Sequence, residues 1–307
     1  MNSPLRVRLR SVAMSALLGA AVMGAFATTG RADEDVFGYV KSAEPLPKGA
    51  VEVTQWFTRR ADKGTGHYSA LDSKTELEYG FTDKFSGEIA LLGQSIDTSG
   101  IMIDAYVPGD KKYGMKFSGI EGSVKYNFLS AAKDPVGLST YFAMQFLTLD
   151  PTSGQDKDTW SSEVKLLLQK FFFDDQLIVA FNGGIESTIA KRKPIDGLPP
   201  DFEWPTDPEV EIEFIGALGA SYRFAPNWSV GAELLYEEEH ETAVGQERWT
   251  IQAGPNVHFA ARQWWATFTW LPQIKGGGSP YPGQTDTDLH LIEKTKEELR
   301  LKIGYNF

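Results

Sequence analysis

The constraint that bears hardest on this chain is a strict two-residue alternation that runs to its last residue. Leu299, Leu301, Ile303, Tyr305 and Phe307 are apolar, and Arg300, Lys302, Gly304 and Asn306 between them are charged, small or polar. Successive side chains of a strand point to opposite faces. The segment is therefore a strand with one apolar, aromatic-ended face and one hydrophilic face. The same alternation recurs from Val51 onward, interrupted by breaks of two kinds. Short ones fall at 81–84, 130–137, 174–175, 225–227 and 261–263, and use the Asp, Asn, Pro and Gly of tight turns. Polar and mostly longer ones fall at 61–66, 97–114, 150–158, 191–208, 241–246 and 275–287.

The two kinds alternate without exception. They separate twelve predicted strands, near 50–60, 67–80, 85–96, 115–128, 138–149, 159–172, 176–190, 209–223, 228–240, 247–260, 263–274 and 288–307. An even strand number, short turns at one end and long loops at the other are the rule of bacterial transmembrane barrels. A soluble sandwich has no reason to sort its connections by length. The apolar series ending on Phe307 resembles the terminal strand of Gram-negative outer-membrane β-barrels. That resemblance implies a barrel-assembly machinery as partner, reading Leu299, Leu301, Ile303, Tyr305 and Phe307 as its signal. Phe37-Gly38-Tyr39, Leu46-Pro47-Lys48-Gly49 and Gln55-Trp56 resemble an uncharacterised, porin-like family of such barrels, which implies no activity.

Residues 1–32 read as a cleavable secretory signal. Arg6, Arg8 and Arg10 precede an uncharged, Ala-rich stretch from Ser11 to Phe26, and Gly30-Arg31-Ala32 supplies a small-residue cleavage site. The stretch is short for a spanning helix, which needs about 20 apolar residues. Residues 33–49 are polar, contain Pro45 and Pro47, and read as a periplasmic lead-in; residues 50–307 read as one all-β, antiparallel, single-chain transmembrane barrel. Cysteine is absent, so no disulfide framework holds this exported chain. After cleavage 26 basic side chains stand against 41 acidic ones, a net charge of −15. That balance excludes a nucleic-acid partner and suits outer-membrane lipid on the apolar side with water within.

Parity assigns the faces. Leu77, Tyr79, Ile89, Leu91, Phe142, Met144, Phe214, Leu218, Trp228, Trp264 and Phe268 belong to the outward set. The inward set carries the charges: Glu76, Glu78, Glu88, Glu121, Glu163, Glu211, Glu213, Glu233, Glu237, Glu239, Arg223, Arg248, Arg300 and Lys302 are the candidate lumen-lining residues. So many charges cannot line a dry core, because an unpaired buried charge is prohibitively costly. Folding the hairpin about Pro226 brings Glu213 to Glu239, and Arg248 on the next strand faces Glu239. Like carboxylates that close need a cation between them. A structural Glu–Arg network meets that need, and a cation-attracting constriction or divalent-ion site is the alternative.

Other chemistry is thin. His67 and Ser69 share an outward face, a spacing that resembles outer-membrane phospholipases, but no Asn partner can be assigned and a triad requires its third member. His240 and His290 lie in acid-rich runs without the tight spacing of metal ligands. Gly276-Gly277-Gly278 is followed by Ser279-Pro280, not by Lys and a helix, so it is no phosphate cradle. No metal, cofactor or catalytic residue is expected. The expected function is a passive, narrow pore for small polar or cationic solutes, with a closed barrel that binds through its extracellular loops as the alternative.

Overall fold

Twelve antiparallel strands close into a barrel in the computed structural model, which describes residues 35–103, 107–195, 197–198, 204–242 and 245–307. The predicted signal, residues 1–32, lies outside the described residues. The strands are β1 (Val51–Ala61), β2 (His67–Thr82), β3 (Phe85–Ser99), β6 (Lys112–Leu129), β7 (Gly137–Leu149), β8 (Asp156–Phe172), β9 (Leu177–Arg192), β10 (Glu209–Ala225), β11 (Trp228–Glu241), β12 (Gly245–Ala260), β13 (Trp264–Gly278) and β14 (Glu297–Asn306). A two-stranded hairpin, β4 (Met102–Ile103) with β5 (Val107–Pro108), sits apart in the β3–β6 connection. Each barrel strand pairs with its sequence neighbour, and β1 pairs with β14 from Glu52↔Asn306 to Ala61↔Glu297. No edge is left with open backbone donors or acceptors, which removes the main liability of a sheet. Among the described residues no helix is long and apolar enough to cross a membrane.

Eleven strands fall where the alternation puts them, within a few residues. The exception is the last, which begins at Glu297 instead of 288. Residues 288–296 leave the wall: alternation stops at the adjacent Leu291-Ile292, and Leu289, Leu291 and Ile292 are buried within a connection that folds inward. The predicted break at 275–287 is displaced as well: Lys275 to Gly277 pair in β13 with Trp249 to Ile251 of β12.

Parity holds round the ring. Leu77, Ile89, Leu91, Phe142, Met144, Phe214, Leu218, Trp228, Trp264, Phe268, Ile303 and Tyr305 are exposed on the outer surface. This is an apolar exterior, suited to lipid. The interior is not uniformly wet. Trp56, Tyr141, Leu167, Ala180, Ala217, Leu235, Trp265 and Leu271 also point inward, and most are buried. An apolar side chain inside a hydrated lumen needs something to pack against, and for Tyr141, Leu167, Ala180, Ala217, Leu235 and Leu271 it is residues 35–47. The polar lead-in read from the sequence is corrected by this packing. Val36, Phe37 and Val40 form one core cluster with Ala180, Ala217, Leu235 and Leu271, and Ala43 forms another with Tyr141, Ala143 and Leu167.

The exterior assignment is testable on Leu218, flanked across strands by Leu234 and Phe181. Leu218→Arg is expected to lower barrel stability by about 2–4 kcal/mol in bilayers, the cost of a cation near the apolar midplane. Denaturant unfolding in liposomes measures it.

Candidate functional site

The inner surface holds three parts: a strap, a charged wall and an inward-folded connection. The strap is residues 35–49. It forms no ladder, so its backbone groups need partners elsewhere. Inward side chains of the wall supply them. Glu233 on β11 accepts the backbone N–H of Gly38 at 2.8 Å, Tyr39 at 2.7 Å and Val40 at 3.0 Å. The same carboxylate accepts Asn256 Nδ2 and Thr269 Oγ1, both at 2.9 Å. Five donors on one carboxylate offset its burial, since bonds to a charged acceptor are roughly twice as strong as neutral ones.

The strap continues across the lumen. Asn182 brackets Lys41, accepting its N–H at 2.6 Å and donating to its carbonyl at 2.9 Å. Gln169 accepts the N–H of Ala43 at 3.0 Å. The carbonyl of Ala43 accepts from Asn127 Nδ2 and Ser139 Oγ. Asp35 pairs with Lys302, and Arg300 donates to the Gly38 carbonyl at 3.0 Å while stacking 3.7 Å from the Tyr39 ring centroid. Burial would push the Asp35 carboxyl up, but the charges of Lys302, Lys125 and Lys41 outweigh it and hold it below the usual range. Glycine makes room at two points. A Cβ at Gly219 would lie 2.6 Å from the Phe37 ring, and one at Gly80 would lie 2.0 Å from the Pro47 carbonyl oxygen. The Gly49 N–H then donates to the Gly80 carbonyl at 2.7 Å, tying the strap down beside the start of β1.

Above the strap, towards the long loops, is a cavity of about 500 Å³. Tyr39 and Lys41 of the strap form part of its lining, with thirteen carboxylates and nine cationic side chains in all. Carboxylates run round the wall at cross-strand positions: Glu163 opposite Glu186, Glu186 opposite Glu213, and Glu213 opposite Glu239. Arg248 sits opposite Glu239 and pairs with it, with Glu213 at 3.2 Å and with Glu293 at 3.4 Å. The Glu213–Glu239–Arg248 association expected from the hairpin is present. Lys165 pairs with Glu163, and Lys157 pairs with Glu209 at 2.7 Å and Glu211 at 3.7 Å. On the facing wall Lys74 lies 2.5 Å from Glu76, 2.8 Å from Glu121 and 3.4 Å from Glu88. Glu78 lines a second, water-sized cavity of about 30 Å³ between strap and wall. Arg223 is half-buried and lies on the inward parity of β10 near its short-turn end.

The fourteen charged candidates fall in different places. Glu233, Arg300 and Lys302 hold the strap; Glu121, Glu163, Glu211, Glu213, Glu237, Glu239 and Arg248 line the larger cavity; Glu76, Glu78 and Glu88 line the smaller one; and Arg223 lies near the short-turn end of β10. Two carboxylate triads bring their oxygens within 4.8 Å of one another, Glu76–Glu88–Glu121 and Glu239–Glu247–Glu293. Lys74 lies among the first and Arg248 pairs with two members of the second, so side-chain cations already provide the neutralisation a metal ion would give. His67 and Ser69 have the outward parity of β2, and among the described residues no side chain hydrogen-bonds His67.

The inward connection is residues 279–296. Its buried part is pinned where His290 N–H donates to Gln273 Oε1 at 2.6 Å and Gln273 Nε2 donates back to the His290 carbonyl at 3.0 Å. Lys63 reaches the Ile292 carbonyl, and Thr152 reaches that of Glu293 at 3.1 Å. Burial would raise the Glu293 carboxyl, but its bond to His290 and the Arg248 charge hold it down at about 2. Sequence reading missed both the strap and this connection. The signal of the strap was Val36, Phe37, Val40 and Leu46 in a stretch read as polar; that of the connection was the adjacent pair Leu291-Ile292, which breaks the alternation inside the predicted strand 288–307.

A closed twelve-stranded barrel with a charged interior and an apolar exterior is the architecture of outer-membrane β-barrels. Superposition on an outer membrane channel from Pseudomonas putida F1 gives a TM-score of 0.56 at 14% identity, over 86% of this chain and 98% of that one. The β domain of the Bordetella autotransporter BrkA gives 0.51 at 12% identity, over 85% and 100%. At such identities the likeness is one of fold. The chain belongs to DUF6662, a family of unknown function whose profile matches residues 29–307. No curated protein matches it by sequence.

Two expectations follow. Glu233→Ala strips the strap of its central acceptor and lowers the local opening free energy by about 3 kcal/mol, a roughly 100-fold loss of protection. Hydrogen exchange at Gly38, Tyr39 and Val40 reads it. The second concerns Glu293, whose folded value lies below the unfolded one. The contribution of its charge is complete above the ordinary carboxylate range and is lost as pH falls through about 2. Pepsin is expected to spare residues 288–296 at pH 4 and to cut them as pH approaches 2.

Proposed function

We propose that this protein is an outer-membrane channel for small polar or cationic solutes, closed at its short-turn end by the strap. In this reading the long loops face the outside, the short turns face the periplasm, and lipid covers the apolar exterior. The observation that carries it is the charged cavity of about 500 Å³ that ends on Tyr39 and Lys41. Its size is that of a small-molecule site. Its acid excess draws in cations and repels anions, which raises their local concentration before any passage. The strap rests on hydrogen bonds from side chains and is not a strand of the sheet. It can leave without breaking the barrel ladder.

A second reading is a closed barrel that binds a ligand or partner through its long loops. The dense bonding of the strap favours it, because a plug that never leaves makes a pore impossible. Planar-bilayer recording separates the two. The full mature chain is expected to give small or rare events, and deletion of residues 36–46 is expected to give larger, persistent, cation-preferring ones. Absence of current from both proteins, or preference for anions, would leave the channel reading without support. Deletion of residues 191–208 with loss of binding would then favour the second.

Export by a cleaved signal and recognition of the carboxy-terminal strand by the assembly machinery belong to the same proposal. Removal of Phe307 alone is expected to lower the yield of folded, heat-modifiable barrel in the outer membrane several-fold, with synthesis unchanged. Leu299, Leu301 and Ile303 lie on the outward parity of β14 with Tyr305, so their replacement by Ser is expected to act the same way.

A further inference from the structure

We propose that Lys294 and Glu186 together set the charge preference of the cavity, Lys294 as a fixed internal counter-cation and Glu186 as the carboxyl group, without an internal cation partner among the described residues, that an entering cation meets. This rests on the channel reading and names the residues that would give it selectivity.

The wall presents its carboxylates in register on adjacent strands, so like charges sit at neighbouring cross-strand positions: Glu163, Glu186, Glu213 and Glu239. Such an arrangement is destabilising unless cations intervene. Three cations do so, from different sources. Lys165 and Arg248 belong to the wall and pair with Glu163 and Glu239 at either end of the row. Lys294 comes from the inward connection, pairs with Glu237, and lies 3.9 Å from Glu213.

Lys294 is not at a loose tip. It follows Glu293, which is held by His290 at 2.9 Å, and Lys296 donates its N–H to the Asp62 carbonyl at 2.8 Å. Burial and the Arg248 charge would both lower the Lys294 amine, but Glu237 and Glu213 outweigh them and hold it above its ordinary value. It therefore stays charged at neutral pH. Its side chain is about one-fifth exposed, so its charge is felt in the cavity.

Glu186 differs from its neighbours. Its carboxylate accepts Thr188 Oγ1 at 3.2 Å, and among the described residues no cation comes within salt-bridge distance. It sits between Glu163 and Glu213 and lines the cavity. A solute cation can neutralise it without displacing an internal one.

The chain has no cysteine, so one introduced thiol is a clean reporter. Ile215, which lines the cavity and is paired with Glu237, is the place for it. In Ile215→Cys protein, the modification rates by a trimethylammonium and by a sulfonate methanethiosulfonate give a cation-to-anion ratio that does not depend on passage through the strap. Adding Lys294→Gln is expected to raise that ratio about five-fold or more, because the two reagents differ by two charges and the removed charge lies in a poorly screened site. Adding Glu186→Gln is expected to lower it, and Lys294→Arg to leave it unchanged. If Lys294→Gln protein fails to assemble, the Glu186→Gln arm decides alone. A ratio unmoved by the neutralising substitutions overturns the proposal and leaves the channel reading standing. Failure of both reagents to reach Cys at 215 overturns both.

Discussion

Closure of the ring is the constraint on which everything else depends. Once β1 has paired with β14, no strand of the barrel is left as an edge and every strand has one face inside and one outside. The outside is apolar, so the charges must go in. A lumen of twelve strands brings charges from opposite walls and from neighbouring strands close enough to interact strongly. The interior has then to solve an electrostatic problem that no single strand poses.

Three devices solve it. Some charges pair along the wall, as Lys165 does with Glu163 and Arg248 with Glu239. Others pair with a chain segment that enters the lumen, as Lys302 does with Asp35 and Glu233 with three consecutive backbone amides. Glu237 is met by a connection that folds inward and delivers Lys294. The last two also fill space. Phe37 covers Gly219, and inward Leu271, Ala217 and Ala180 gain an apolar partner. The same groups that make the interior polar therefore also narrow it, leaving a charged cavity towards the long loops.

Much of the barrel was legible along the chain. Period two gave the strands and their faces, and the sorting of breaks by length gave the two ends. The hairpin about Pro226 even gave the Glu213–Glu239–Arg248 association, because neighbouring strands in a barrel are neighbours in sequence. The failures share one cause. Residues 288–291 alternate like a strand yet leave the wall, since alternation reports a period and not a hydrogen-bonding partner. Residues 35–47 look polar by their prolines and charges. Their few apolar side chains are sufficient to dock because Gly80 and Gly219 leave the space and Glu233, Asn182 and Gln169 supply the bonds. Trp56, already notable beside Phe37-Gly38-Tyr39, lies beneath the Arg300 and Lys302 cations that hold the strap.

The sequence by itself determined an antiparallel barrel of twelve strands, which residues face out, and which charges are confined within. Those are properties of local period and of neighbours along the chain. Only the tertiary structure decided that the lumen is not a plain tube. The contacts of Phe37 with Gly219, of Gly38 with Glu233 and of Lys294 with Glu237 join residues far apart in sequence. Such contacts depend on the diameter and stagger of the closed ring, which bring facing walls within reach of one side chain.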